Sequence, residues 1–449
     1  MRGVLRFAAK ALAALVVLQL VLLGLLVAAQ AVPNEPIVRH LAQAVDSGDY
    51  GAPYAPDRVG GSADRFTECV VLGYGVSSAD DERSLWFRAT GGPRLSSCED
   101  GVGEIRALAA GGSVIPPATY FRYWSGYSVL TRPVLALTDV PGLRLVVSAV
   151  FALAVLTAFL ALVRRAGAPA AFALLVPVAA ATNALAMPAE AFSHGIALAA
   201  VAAGVALTAV GASHGWRGAA LAAAGSAALF CYVDLLTVPP MAWALCAASA
   251  GAVAARRRAG LAPVLRTTLA TGAAWPFAFA FTWVSRWVIA ALVQGPGIFA
   301  KVQEVSRFRL DGGDVSQEFG AGLVANWRWW AEHTATLVPV LALAAAVVMV
   351  ALVVTVRRHG PRGLLRTAVL AAPALVVPAW YCVLSNHSQI HAFFTYRSLA
   401  AAVGVLVLAA VVPASRTRLS GAQVHAEPVQ ERGQGGPRQD RDRGGLPLR

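Results

Sequence analysis

The stretch AAKALAALVVLQLVLLGLLVAAQA, residues 8–31, decides the fold. Apart from Lys10 and two glutamines it is unbroken hydrocarbon. At 1.5 Å per residue a helix of this length crosses the roughly 30 Å core of a bilayer. Comparable blocks recur at about 143–163, 168–187, 195–213, 218–238, 240–255, 268–285, 334–356, 367–384 and 396–412. With 57% hydrophobic residues, 14% charged and a mean hydropathy of +0.61, the chain lies outside the range of soluble domains. The expected fold is therefore an all-α polytopic membrane protein of about ten transmembrane helices. A signal peptide is the alternative for the first block, because Ala29-Gln30-Ala31 resembles a cleavage site. The length of the apolar run favours a retained helix.

A net charge of +13 is compatible with a nucleic-acid partner until the charges are placed along the chain. Lys10 and Lys301 are the only lysines. Basic clusters at Arg2, Arg6 and Lys10, at Arg164 and Arg165, at Arg217, at Arg256–Arg258, at Arg357, Arg358, Arg362 and Arg366, and at Arg416 and Arg418 flank alternate ends of successive blocks. That is the positive-inside pattern, and it predicts both termini in the cytoplasm. Thirteen of the 24 acids fall in 31–142, seven in later outer loops or outer helix ends, and four in the C-terminal tail. The lipid bilayer is the expected partner, and no nucleic acid is.

The expected organisation follows. Residues 1–31 form the first helix, 32–142 a large extracytoplasmic loop and 143–285 helices two to seven. Residues 286–333 form a second outer loop, 334–412 helices eight to ten, and 413–449 a disordered cytoplasmic tail rich in Arg, Gln, Gly and Pro. Ala- and Gly-rich blocks predict close helix packing, and Pro177, Pro276, Pro373 and Pro378 predict kinks. Trp327, Trp329 and Trp330 read as an interfacial anchor. Cys69 and Cys98 share the large loop, where oxidation is allowed, so a disulfide is expected, with two free thiols as the alternative. Cys231, Cys246 and Cys382 read as small apolar packing residues.

Three polar clusters remain that hydropathy does not explain. Asp64-Arg65-Phe66-Thr67-Glu68-Cys69 offers a carboxylate able to take a proton from a hydroxyl or to bind a divalent ion; a capping Asp in a solvated loop is the structural alternative. Tyr120 to Tyr127, followed by Arg132-Pro133, interleaves aromatics with arginines. Arg122, Trp124, Tyr127 and Arg132 could bind a phosphate and cover a lipid chain or sugar face, or form an interfacial belt. Asn386 to His391 with Arg397 sets His387, His391 and a guanidinium beside the last two spans, suited to phosphate contact or proton relay. Asp234, in the outer half of a span, has no evident structural reason for its charge, while Glu190, His194 and Arg286 are supporting candidates.

These blocks resemble uncharacterised multi-pass membrane proteins of Gram-positive bacteria, in the stretches Asp64–Cys69, Tyr123-Trp124-Ser125-Gly126-Tyr127 with Arg132-Pro133, and Asn386-His387 with His391 and Thr395-Tyr396-Arg397. The plan also resembles GT-C glycosyltransferases, which transfer sugars from lipid-phosphate donors on the outer face of a membrane. That resemblance implies Asp64 as catalytic base, with Glu68 as substitute, and Arg122, Arg132, His387 or Arg397 facing the donor phosphate. The paired acids that many such enzymes carry near the start of the loop are absent, which leaves the metal requirement open and a divalent cation admissible. A bacterial cell membrane is the implied location. The competing expectations are a transporter or flippase for a lipid-linked or polar substrate, and a non-enzymatic envelope-assembly protein.

Overall fold

The computed structural model describes residues 2–58, 60–257, 260–311 and 315–414. Arg258, Arg416, Arg418 and nearly all of the expected tail lie outside them. Among the described residues seven helices are long and apolar enough to cross a bilayer: Gly3–Gln30, Val140–Ala166, Phe192–Ser213, Leu261–Gln294, Leu337–His359, Pro361–Val383 and Ala392–Ala414. The only sheet among the described residues is a two-stranded hairpin, Tyr54–Pro56 against Ser62–Asp64. The chain is an all-α, multi-pass membrane protein.

Helix Phe192–Ser213 is central, packed against Val140–Ala166, Trp216–Val233 and Pro239–Arg257. Small residues make this possible. A Cβ added at Gly211 would lie 2.5 Å from the Gly218 carbonyl oxygen, and one added at Gly218 would lie 2.5 Å from that of Gly211. The two backbones meet where neither can carry a side chain. Peripheral helices look the other way: Val338, Leu343, Met349 and Val350 on Leu337–His359 are exposed hydrocarbon suited to lipid.

Two expected spans stop early. The block at 168–187 is helical only over Ala168–Ala180, then turns through Thr182 and Asn183. The block at 218–238 ends as helix at Val233, and Asp234 to Val238 run irregularly, with Leu236 at φ +67°. Pro177 sits one turn before the first break. Pro373 lies in a 3-10 segment, Ala372–Leu375, and Pro378 in the helix that follows it; Pro276 is carried inside the continuous helix Leu261–Gln294. Residues 286–333 are not a simple loop. They contain the end of helix Leu261–Gln294 and the helices Ile298–Asp311 and Ala321–His333. Trp327 is exposed as an interfacial ring should be, but Trp330 is buried and donates its Nε1–H to the Ala181 carbonyl at 2.6 Å, closing the first break.

Segment 32–142 shares one hydrophobic cluster with the helical bundle. It comprises the hairpin and the helices Asn34–Ser47, Arg65–Gly73, Leu85–Gly91, Glu99–Ala109 and Ser128–Leu137. Cys69 and Cys98 are joined by a disulfide, with a Cα–Cα distance of 5.2 Å. Arg132 fastens the segment to the first helix. Its guanidinium donates to the carbonyls of Ala29, Val32 and Tyr74 and to Asn34 Oδ1, at 2.8–3.2 Å.

Candidate functional site

Asp64 ends the second strand and begins helix Arg65–Gly73, and its two carboxylate oxygens divide the work. Oδ1 caps the helix by accepting from the Thr67 backbone N–H at 3.2 Å. Oδ2 faces His194 Nε2 at 3.0 Å. Both side chains are buried. The capping role and the candidate chemical role therefore coexist on one residue. Burial alone pushes the Asp64 carboxyl up, but the hydrogen bonds from His194 and Thr67 outweigh it and hold the group below the usual carboxylate range.

His194 stands in the first turn of helix Phe192–Ser213, and Arg397 begins helix Arg397–Ala414. Arg397 Nη1 lies 3.2 Å from His194 Nδ1, and its Nε donates to Asn183 Oδ1 at 2.6 Å. A guanidinium can only donate, so Nδ1 of His194 accepts and Nε2 carries the proton that reaches Asp64. Asn183 Nδ2 donates in turn to Asp57 Oδ2 at 2.6 Å. The result is a buried chain, Asp57–Asn183–Arg397–His194–Asp64, tying the hairpin to the ends of three membrane-embedded elements. Nη2 of Arg397 has no hydrogen-bond partner.

A second node adjoins the first through Phe394, whose ring lies 5.1 Å from that of His194 and 5.0 Å from that of His391. Arg309 Nη1 points at His387 Nδ1 (2.7 Å) and His391 Nε2 (3.0 Å). Both nitrogens must accept. His387 therefore donates from Nε2 to the Leu236 carbonyl at 2.9 Å, and His391 carries its proton on a buried, unpartnered Nδ1. Burial first, then neighbouring charges including Arg309, keeps both rings neutral. His387 is driven well below the usual histidine value and His391 down to about 4. Arg309 also lines a cavity of about 210 Å³ with Arg122, Tyr123, Trp283 and Trp287. Nε of Arg122 is buried and unpartnered.

The remaining candidates stand apart from this chemistry. Glu68 is buried, accepts from the Phe192 N–H at 3.0 Å and pairs with Arg144 at 3.1 Å, so it secures the N-terminus of helix Phe192–Ser213. Trp124 is fully buried, its Nε1–H on the Thr282 carbonyl at 2.6 Å with Arg286 over its ring. Tyr127 packs edge-on to Tyr74, also buried. Arg132 is spent on the carbonyls named above and offers no donor fork to a phosphate. Asp234 neither snorkels nor opens to a cavity of useful size. It accepts from the Thr237 N–H at 2.9 Å and from the Thr237 hydroxyl, capping the break that ends its helix.

Asp57, Asn183, Arg144 and Arg309 were not singled out by the sequence. Asn183 did leave a trace, as a lone amide inside an apolar block that marks where a span stops. Among the described residues no three His, Cys, Asp or Glu side chains gather in a way that could hold a metal ion. Comparison with known protein families, curated proteins and solved structures finds no match to this chain.

Proposed function

We propose that the chain is a GT-C-type glycosyltransferase of the bacterial cell membrane, moving a sugar from a lipid-phosphate donor to an envelope acceptor on the outer face. The observation that carries this reading is the Asp64–His194–Arg397 chain, a carboxylate held ionised against burial beside a cluster of guanidinium and imidazole donors. In the reaction Asp64 takes the proton of an acceptor hydroxyl. The oxygen attacks the anomeric carbon as the bond to the lipid phosphate breaks, and the bonding pair leaves on the phosphate. His194 fixes the orientation of Asp64. Arg122 and Arg309, with Arg397 Nη2 and His391 Nδ1, supply donors to the departing phosphate, and Tyr123, Trp283 and Trp287 supply an apolar wall for its lipid.

The reading requires ten crossings with both termini inside. Ala168–Ala180, Trp216–Val233 and Pro239–Arg257 then span in addition to the seven longer helices, and Asp64, His387 and His391 share the outer compartment. The positive-inside placement of the arginines supports this. The test replaces Asp64 by Asn and by Ala in the native host and analyses envelope glycans. Loss of a basic catalyst lowers the rate about 10²–10⁴-fold, so one glycan linkage should disappear. Unchanged glycans in both stably expressed variants refute the assignment.

A further inference from the structure

A second, larger cavity of about 1120 Å³ lies away from Asp64, between the end of the first helix, helix Asn34–Ser47, the turn at 77–81 and the turn at 109–113. Its volume exceeds the ~300–1,000 Å³ usual for small-molecule sites. Gln30 forms part of its wall. That side chain is 1% exposed, and neither its amide oxygen nor its amide nitrogen has a hydrogen-bond partner. Burying an amide without partners is unfavourable, and proteins rarely keep one idle. The backbone is arranged around it. Gly75 adopts φ +73° and lies so close that a Cβ there would strike Gln30 Oε1. Arg88, also on the wall, has a buried Nε without a partner.

The remaining wall limits what can bind. Four carboxylates, Glu35, Asp46, Asp80 and Asp81, face two guanidiniums, Arg39 and Arg88, which disfavours an anion. Asp81 is already paired with Arg83 at 2.7 Å and Asp80 accepts from the Ser113 hydroxyl at 2.6 Å, which reduces the attraction for a cation. An amide that needs one donor and one acceptor, among charges of both signs, matches hydroxyl groups, each of which donates and accepts. We propose that this cavity binds a neutral, hydroxyl-rich ligand of the saccharide class, with the Gln30 amide as its deepest contact. The proposal does not rest on the transferase reading.

The test uses full-length protein in lipid nanodiscs, titrated calorimetrically with trehalose, maltose and methyl α-mannoside. At least one should bind. Gln30→Leu removes two neutral hydrogen bonds and should weaken binding about tenfold. Ala109→Trp, a change at an exposed position on the cavity wall, should weaken it comparably without touching the core. Asp64→Asn should bind like the wild type, which separates this site from the proposed catalytic one. No binding of any of the three sugars by the wild type, or retention of affinity in either cavity variant, overturns the proposal.

Discussion

Replacing His194 by Leu should invert the way Asp64 contributes to stability. In the native protein the Asp64 carboxyl lies below its usual value because hydrogen bonds from His194 and Thr67 outweigh burial. Its ionised form therefore stabilises the fold at pH values above the unfolded-state pKa, and that contribution is lost as pH falls through the lower folded-state value. The His194 bond is charge-assisted, worth about 1.5–3 kcal/mol. Without it burial dominates, the folded value rises above the unfolded one, and the charge becomes a penalty near neutral pH. His194→Leu should then be less stable than wild type by about that amount and should recover as pH falls. The double variant Asp64→Asn/His194→Leu should be the more stable of the two near neutrality and nearly indifferent to acid. Thermal midpoints in nanodiscs, measured from neutral to acid pH, give the comparison. If the double variant gains nothing near neutral pH, the account of the pair is wrong.

Three further outcomes follow from the same contacts. Arg144→Met strands the buried Glu68 and should cost about 3–5 kcal/mol; adding Glu68→Gln should restore much of it, since neither residue is assigned chemistry. Arg132→Met removes four hydrogen bonds, one to Ala29 at the end of the first helix and three within segment 32–142, so the thermal midpoint should fall while, on the proposed transferase reading, residual folded protein keeps its glycan product. Reducing or deleting the Cys69–Cys98 bond, with a sequence separation of 29, should destabilise by about 3–4 kcal/mol on chain-entropy grounds, measurable as a lower midpoint in Cys69→Ser/Cys98→Ser.

Hydropathy located seven of the ten expected blocks as long apolar helices because a span needs only length and hydrocarbon, and both are local properties. What it blurred were the ends. Alanine and leucine continue past Ala180 and past Val233, so composition does not register the turns that free Asn183 and let Asp234 cap Thr237. The three polar clusters were visible, but their division of labour was not. Arg132, Arg122 and Arg397 are alike in sequence. One is saturated by backbone carbonyls, one lines a cavity, and one orients a histidine.

For Arg132 and Arg397 that division follows from where each side chain leaves its helix. Arg132 lies inside the short helix Ser128–Leu137, beside the carbonyls of the turn where the first helix ends and the chain runs toward helix Asn34–Ser47, so backbone oxygens with acceptor capacity to spare capture it. Arg397 is the first residue of its helix and faces an Asn and a His that are themselves first-turn or break residues. At helix starts the exposed backbone groups are N–H donors, which do not compete for a guanidinium, so its donors remain for side chains and ligands. Helix polarity thus sorts arginines into structural and available ones. Joined to the proposed transferase reading, it predicts that Arg397→Lys, which keeps the charge but loses the two-pronged geometry, fails in glycan production even when the protein folds. Full activity in that variant would mean that charge alone, not the oriented donor pair on Asn183 and His194, is what the site requires.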